Sequence, residues 1–422
     1  MPSPAPPVAQ VPAFAEAARF WVTLGFVSFG GPAGQIAILH REIVERRRWL
    51  DDRSFTGALN FCMLLPGPEA LQLAIFLGWK LHGVRGGLVA GLGFILPAVV
   101  LLFALSFAYV GYGSMPWVAG PLLGLKAAVV ALVLQALVRI SRRALDSPLH
   151  IALAALSFVA LQFLGVPFPL VLLAAAMAGL VQARMRGAAA VPLRPAGSAG
   201  GALRVLLVGL ALWLVPLLAL SPTFGVDSLW SKLYLFFTKA ALITFGGAYA
   251  VLGYVTSQLV DQLGWVTAEQ SVAGLALAET TPGPLVIVLQ FMGFMAGWNQ
   301  AGPLAPGAAA LLAGALAAWA TFLPSFVFIF VGAPYVESLT RNPGIAAALA
   351  AITAAVVGVI ATLALLLARV VLLPQGWHGA PAWAAVAIAL AAWLALERLR
   401  WPLPAVLAVA AAIGLLLHLL QQ

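Results

Sequence analysis

Charge is what this sequence has least of: of 422 residues, 8% are Asp, Glu, Lys or Arg, against about 25% in an ordinary soluble domain. A water-soluble fold cannot hide the 63% of residues that are hydrophobic. The single cysteine, Cys62, excludes an internal disulfide framework, and no Cys and His cluster has metal-site spacing, so no metal and no cofactor is expected. No Walker-type glycine-rich loop is present, which argues against ATP as the driving force. His40, His82, His150, His378 and His418 are scattered, so the base and nucleophile of a membrane-embedded enzyme are missing as well. The opening MPSPAPPVAQVPAF has no basic stretch ahead of an apolar core, and no cleavable signal peptide is expected.

What is present is apolar sequence in membrane-sized runs. A helix crossing the roughly 30 Å hydrocarbon layer needs about 20 mainly apolar residues, because only a helix satisfies its own backbone groups there. About thirteen segments qualify on that rule. They are 14–31, 56–80, 86–111, 116–138, 149–164, 168–184, 203–220, 229–248, 268–298, 304–333, 344–372, 380–396 and 401–419. The expected fold is an all-α polytopic membrane protein with about 10–13 membrane segments. Residues 187–202 are rich in Gly, Ala, Pro and Arg and read as a flexible linker.

The two sides of that linker repeat one another. Phe29-Gly30-Gly31 recurs 216 positions later as Phe245-Gly246-Gly247, and the same offset carries Trp49 onto Trp265 and Pro66-Gly67-Pro68 onto Pro282-Gly283-Pro284. An offset of 227 then carries Pro97 onto Pro324 and Ala127-Ala128-Val129-Val130 onto Ala354-Ala355-Val356-Val357. The organisation read from this is a first repeat over 1–186, the linker, a connecting helix over 203–228 and a second repeat over 229–422.

An odd connector inverts the second repeat relative to the first, and basic residues give a separate check, since Lys and Arg gather on cytoplasmic loops. Arg41, Arg46, Arg47, Arg48 and Arg53 lie between the first two segments, whereas residues 240–340 contain no Lys or Arg and carry Asp261 at the matching place. Arg139, Arg142, Arg143, Arg184, Arg186, Arg398 and Arg400 mark further cytoplasmic loops. All of these fit one path when the first two segments of each repeat are broken or re-entrant and add no net crossing. The alternative is thirteen full crossings, with one arginine cluster outside.

Candidate chemistry sits at the breaks. Pro lacks an amide hydrogen and Gly tolerates unusual dihedrals, so Pro66-Gly67-Pro68 and Pro282-Gly283-Pro284 each end one half-helix and start another. The new half-helix offers unpaired N–H groups at the positive end of its dipole, which suits an anion. Gly30-Gly31 and Gly246-Gly247 add two further breaks, and Gln72, Thr281 and Gln290 add amide and hydroxyl donors. Lys126 and Lys239 lie far from any segment end and could neutralise a dianion. Glu69 and Glu279 flank the two Pro-Gly-Pro turns and are candidates for coupling proton movement to anion movement. The plainer readings are kinks in packed helices, lysines paired with buried acids and helix-end carboxylates.

The stretches FGGPAGQIAILHREIVERRRWL, LLPGPEALQLAIFLGWKLHGVRGG and GFILPA, with FFTKAALITFGGAYAVLGYV and LALAETTPGPLVIVLQFMGFMAGW further on, resemble the chromate transporter family of the long, bidomain type. The resemblance runs through both halves, because the FGG and PGP motifs recur in order. It implies a multi-pass protein of the bacterial inner membrane that expels chromate and confers resistance, with sulfate as the structural analogue. It also implies that Phe29, Gly30, Gly31, Pro32, Gln35, Pro66, Gly67, Pro68, Glu69, Gln72, Phe245, Gly246, Gly247, Glu279, Thr281, Pro282, Gly283, Pro284 and Gln290 are motif positions. The expected partners are a chromate-like or sulfate-like oxyanion and membrane lipid, with a homodimer among the expected assemblies and no nucleic acid. The rival classes are a carrier for another tetrahedral oxyanion such as sulfate or molybdate, a passive anion channel and a membrane enzyme.

Overall fold

The computed structural model describes residues 11–187, 199–225, 227–245, 247–340, 342–376 and 379–420, without the side chains of residues 199, 200, 337 and 338. The described residues form helices joined by turns and loops, and contain no strand. Three short helices come first. α1 (Phe14–Val27) and α2 (Gly31–His40) are joined by a turn at Ser28 to Gly30, and α2 runs on into a π-turn at Arg41–Arg46. α3 (Asp52–Cys62) follows, capped by Asp51, whose carboxylate accepts the Ser54 amide at 2.7 Å. After the Pro66–Pro68 turn, α4 (Glu69–Tyr112) rises as a first arm to Leu81, bends at His82 and Gly83, and continues as a long second arm. Gly83 has φ 63°, a conformation that favours glycine.

A 14-residue helix spans only about 21 Å at 1.5 Å per residue, too short for a roughly 30 Å hydrocarbon layer. These elements fold back on themselves as two hairpins. The Arg47 guanidinium, just past α2, lies 4.8 Å from the ring centre of Phe20 in α1 and 3.5 Å from the Glu16 carboxylate. At the far end of the second hairpin, His82 donates to the Pro12 carbonyl at 2.9 Å and its ring meets Phe14 edge-on. Both hairpins thus begin and end on the face that carries the arginine run 41–53.

The chain then becomes long-helical: α5 (Pro116–Ala144), α6 (Pro148–Gln162), α7 (Phe168–Met185) and α8 (Ala199–Phe224). α8 takes in the last four residues of the expected linker, and residues 188–198, the bulk of that linker, lie outside the described residues. The same order of elements then recurs. α9 (Leu229–Leu242), α10 (Ala248–Ser257) with its own π-turn Gln258–Gln262, α11 (Ala268–Glu279) and α12 (Val288–Asn299) are the short set; α13 (Pro306–Gly332), α14 (Val336–Thr340), α15 (Pro343–Leu372), α16 (Trp383–Glu397) and α17 (Leu403–Leu420) close the chain. Pro97 lies inside α4 and Pro324 inside α13, and α7 and α17 are each 18 residues long.

Seven of the described helices are long and apolar enough to cross a membrane: α4, α5, α7, α8, α13, α15 and α17. The protein is a multi-pass membrane protein. Its halves are interleaved rather than side by side, and small residues make that possible, because in a membrane helix association depends on close backbone approach. The second arm of α4 crosses α13 antiparallel, with Gly87 against Phe330, Gly91 against Phe326 and Gly314 against Phe103. α17 lies on α5 through Gly120, Gly124 and Gly414, while α7 and α6 lie on α15 through Gly179 and Gly358. Each half therefore wraps its last two long helices around the other half.

Candidate functional site: two crossed turns

In Pro66-Gly67-Pro68 only Gly67 has an amide hydrogen, and it is donated across the molecule to the Thr244 carbonyl at 2.8 Å. In Pro282-Gly283-Pro284 the Gly283 amide is donated at 2.9 Å to the carbonyl of Ser28. Thr244 precedes the second Phe-Gly-Gly and Ser28 the first, so each Pro-Gly-Pro turn is tied to the Phe-Gly-Gly turn of the opposite half. The two acceptor residues are held alike: Ser28 Oγ donates to the Leu24 carbonyl and Thr244 Oγ1 to the Ala240 carbonyl, both at 2.6 Å. A hydroxyl bonded four residues back bends the end of its helix and presents the next carbonyl sideways.

Glycine is required at both donors. Gly67 has φ 127° and Gly283 has φ 106°. A β-carbon on Gly67 would come within 2.7 Å of Gln72 Nε2 and 3.0 Å of Ser325 Oγ; one on Gly283 would meet the Ala98 methyl at 2.7 Å. Gly30, Gly31 and Gly247 also have positive φ, yet a β-carbon on Gly31 or Gly247 would meet nothing within 4 Å. Gly246 lies outside the described residues.

Buried amide side chains line the crossing. Gln35 Nε2 donates to the carbonyls of Ser28 and Gly283, Gln72 Nε2 to Pro66 at 2.7 Å, and Gln290 Nε2 to Val99 at 2.9 Å. Each amide is oriented by that bond, and each leaves its Oε1 buried without a partner among the described residues, as is Ser325 Oγ. An unsatisfied buried polar atom costs about 1–3 kcal/mol, so Gln72 and Ser325 beside Gly67, with Gln35 beside Gly283 and Gln290 on Val99, mark where water or a ligand belongs. α4 starts at Glu69, directly after Pro68, with no side-chain cap, which leaves the amides of its first turn free at the positive end of the helix.

The acids are placed differently from each other. Glu279, at the end of α11, is 6% exposed and accepts the Tyr249 hydroxyl at 2.6 Å. Tyr249 sits two residues past Gly247 and is not singled out by sequence; a hydroxyl in an apolar helix is the only signal it offers. Glu69 is half-buried in the first turn of α4. Thr281 is buried, but its hydroxyl is spent on the Leu277 carbonyl at 2.7 Å and is not a free donor.

The two lysines do not join the turns. Lys239 is exposed on α9. Lys126 lines a separate cavity of about 870 Å³ whose wall contains none of the turn residues. A second cavity, of about 540 Å³, lies against α1 and the π-turn on the arginine face, bounded by Arg19, Arg41 and Arg47 with Glu16 and Glu42.

The Chromate transporter family model matches residues 15–180 and 231–415. A chromate transport protein of Pseudomonas aeruginosa is 34% identical over 369 residues, covering 86% of this chain and 82% of that protein. One of Cupriavidus metallidurans is 30% identical over 360 residues, 83% of this chain and 81% of its own. A probable chromate transport protein of Synechococcus elongatus is 29% identical over 411 residues, 94% of each chain. No solved structure matches. Both halves being matched, with the crossed turns inside the matched spans, the chain belongs to the chromate transporter family.

Proposed function

We propose that this protein exports chromate from the cytoplasm across the bacterial inner membrane as a secondary transporter, using two halves of opposite orientation that share one oxyanion site at the crossed turns. The observation that carries the reading is the reciprocal pair of bonds, Gly67 to Thr244 and Gly283 to Ser28. Two equivalent helices that pack antiparallel, as the second arm of α4 and α13 do, are related by an axis perpendicular to their length. For spanning helices that axis lies in the membrane plane, the relation expected of an inverted repeat. The arginine run on one side and its absence at the matching loop support the same orientation.

In this reading the short hairpins are re-entrant, and the free amides at the start of α4 and of the 3-10 turn Leu285–Ile287 that leads into α12 hold the anion, with Gln72 and Gln290 shaping the space and Pro68 and Pro284 setting the helix starts. Glu69 and Glu279 are the candidates for carrying protons during the cycle. Direction follows from charge: moving one charge through 100 mV is worth about 2.3 kcal/mol, so an inside-negative potential of that size favours exit of a dianion by about 4.6 kcal/mol. Resistance to chromate would be the cellular result. The relatives' names support chromate over sulfate or molybdate. A homodimer would join two complete units, since both turns of each site lie on one chain.

The test is uptake of labelled chromate into everted vesicles, with sulfate as competitor and the pH gradient present or collapsed. Saturable, sulfate-inhibited uptake supports the carrier; flux that does not saturate favours an anion channel, and no uptake overturns the assignment.

A further inference from the structure

The cavity of about 870 Å³ lies at the face opposite the arginine-rich loops, between the end of α4, the start of α5, the start of α11 and the ends of α12, α15 and α17. Lys126 lies ten residues into α5, about 15 Å along the helix from its start, too deep for its ammonium to escape along the helix. Ion pairs within 4 Å are found elsewhere among the described residues, and none involves Lys126. The one carboxylate in the wall, Glu269, stands in the first turn of α11, where the helix dipole already favours it. Tyr109 and His418 line the same space. On the far wall Gln270 and Asn299 are bonded to one another and to the backbone, which makes that side rigid.

Packing does not demand a lysine here. The offset that carries Ala127 onto Ala354 carries Lys126 onto Thr353, and Thr353 satisfies itself on the Leu349 carbonyl at 2.8 Å. The charge is thus an addition made in one half only, at the face away from the arginines. An unpaired ammonium at membrane depth is costly unless it faces water and meets anions. One water takes up about 30 Å³, so the cavity has room for an oxyanion and much of its hydration shell.

We propose that this cavity is an outer anion-binding vestibule, distinct from the crossed turns, in which Lys126 holds a small tetrahedral oxyanion during its exit. It rests on the transport reading above for the identity of its anion, though not for the binding itself. Lys126→Thr, which borrows the residue of the other half, keeps the helix contact; Lys126→Arg keeps the charge. In right-side-out vesicles, chromate added outside should inhibit efflux at least tenfold less well in Lys126→Thr and near normally in Lys126→Arg. In everted vesicles the KM for chromate at the cytoplasmic face should change less than twofold. An equal loss at both faces would place Lys126 in a single shared site, and no loss at either would make it structural; each overturns the proposal.

A second measurement does not depend on transport. With Cys62→Ser and Lys126→Cys in the full chain, an impermeant thiol reagent applied from outside should label the new cysteine, and sulfate, a tetrahedral anion that does not oxidise thiols, should slow labelling of the neighbouring vestibule position Tyr109→Cys only while Lys126 is intact. Sulfate protection with no chromate uptake would leave the vestibule standing and sink the transport reading. Lack of protection in protein that transports chromate would sink the vestibule alone.

Discussion

Gly67 donates its amide hydrogen to the carbonyl of Thr244 over 2.8 Å, joining residues that stand on opposite sides of the linker. The matching bond from Gly283 to Ser28 makes the arrangement reciprocal. Neither half can complete its own broken helices; each needs the other's carbonyl.

Gly67→Ala and Gly283→Ala should both destabilise the protein, because a β-carbon adds a crowded contact to a strained φ. Strain alone costs about 1–3 kcal/mol. Gly31→Ala and Gly247→Ala meet open space and carry only that cost. Thermal unfolding in detergent should therefore rank the first pair below the second; equal Tm values would contradict the crossing.

Ser325→Ala removes a buried hydroxyl that has no partner among the described residues and installs the residue type that Ala98 already provides beside the other turn. Stability should hold or rise slightly, while the KM for chromate rises several-fold, since the hydroxyl is a donor beside the free amides of α4. Unchanged KM would take Ser325 out of the site.

Tyr249→Phe takes away the hydroxyl that Glu279 accepts at 2.6 Å. A hydrogen bond to a charged group is worth about 1.5–3 kcal/mol, so the pH profile of transport should move, whereas Glu279→Gln should flatten it. A profile identical to wild type in both variants would exclude Glu279 from proton coupling.

Asp51 offers a check outside the membrane. Its carboxylate accepts the Ser54 amide, and the Ser54 side chain and backbone hold it below the usual carboxylate range. A depressed folded-state value contributes stability above the unfolded value of 3.8 that is lost as pH falls through the folded one. Exposure to solvent keeps this contribution small. Asp51→Ala should cost about 0.5–2 kcal/mol at neutral pH, and Asp51→Asn should keep the cap and lose its acid sensitivity, read from Tm against pH.

Orientation is checked by single cysteines at positions 46 and 261 in a Cys62→Ser background. Impermeant reagents should reach them from opposite faces; labelling from one face would rule out the inverted repeat.

Much of this was legible from residue types. Pro66-Gly67-Pro68 and its copy break helices because of what Pro and Gly are, and the resemblance to a family rested on those same residues. Which turn meets which was not legible, since Gly67 and Thr244 are brought together by small-residue faces such as Gly91 and Gly314 whose partners are set by packing. The surroundings of the lysines were not legible for a related reason. Depth within an apolar segment says that a charge needs company, not whether it turns to a cavity, as Lys126 does, or outward, as Lys239 does. Tyr249 could be recognised only once α10 was laid against the end of α11.

The most direct test is a density map of the full chain in lipid nanodiscs with chromate added. The account predicts density for the anion beside the Pro66–Pro68 turn, within hydrogen-bond reach of the first amides of α4. Two turns lying apart, or facing lipid with no hollow between them, would contradict it.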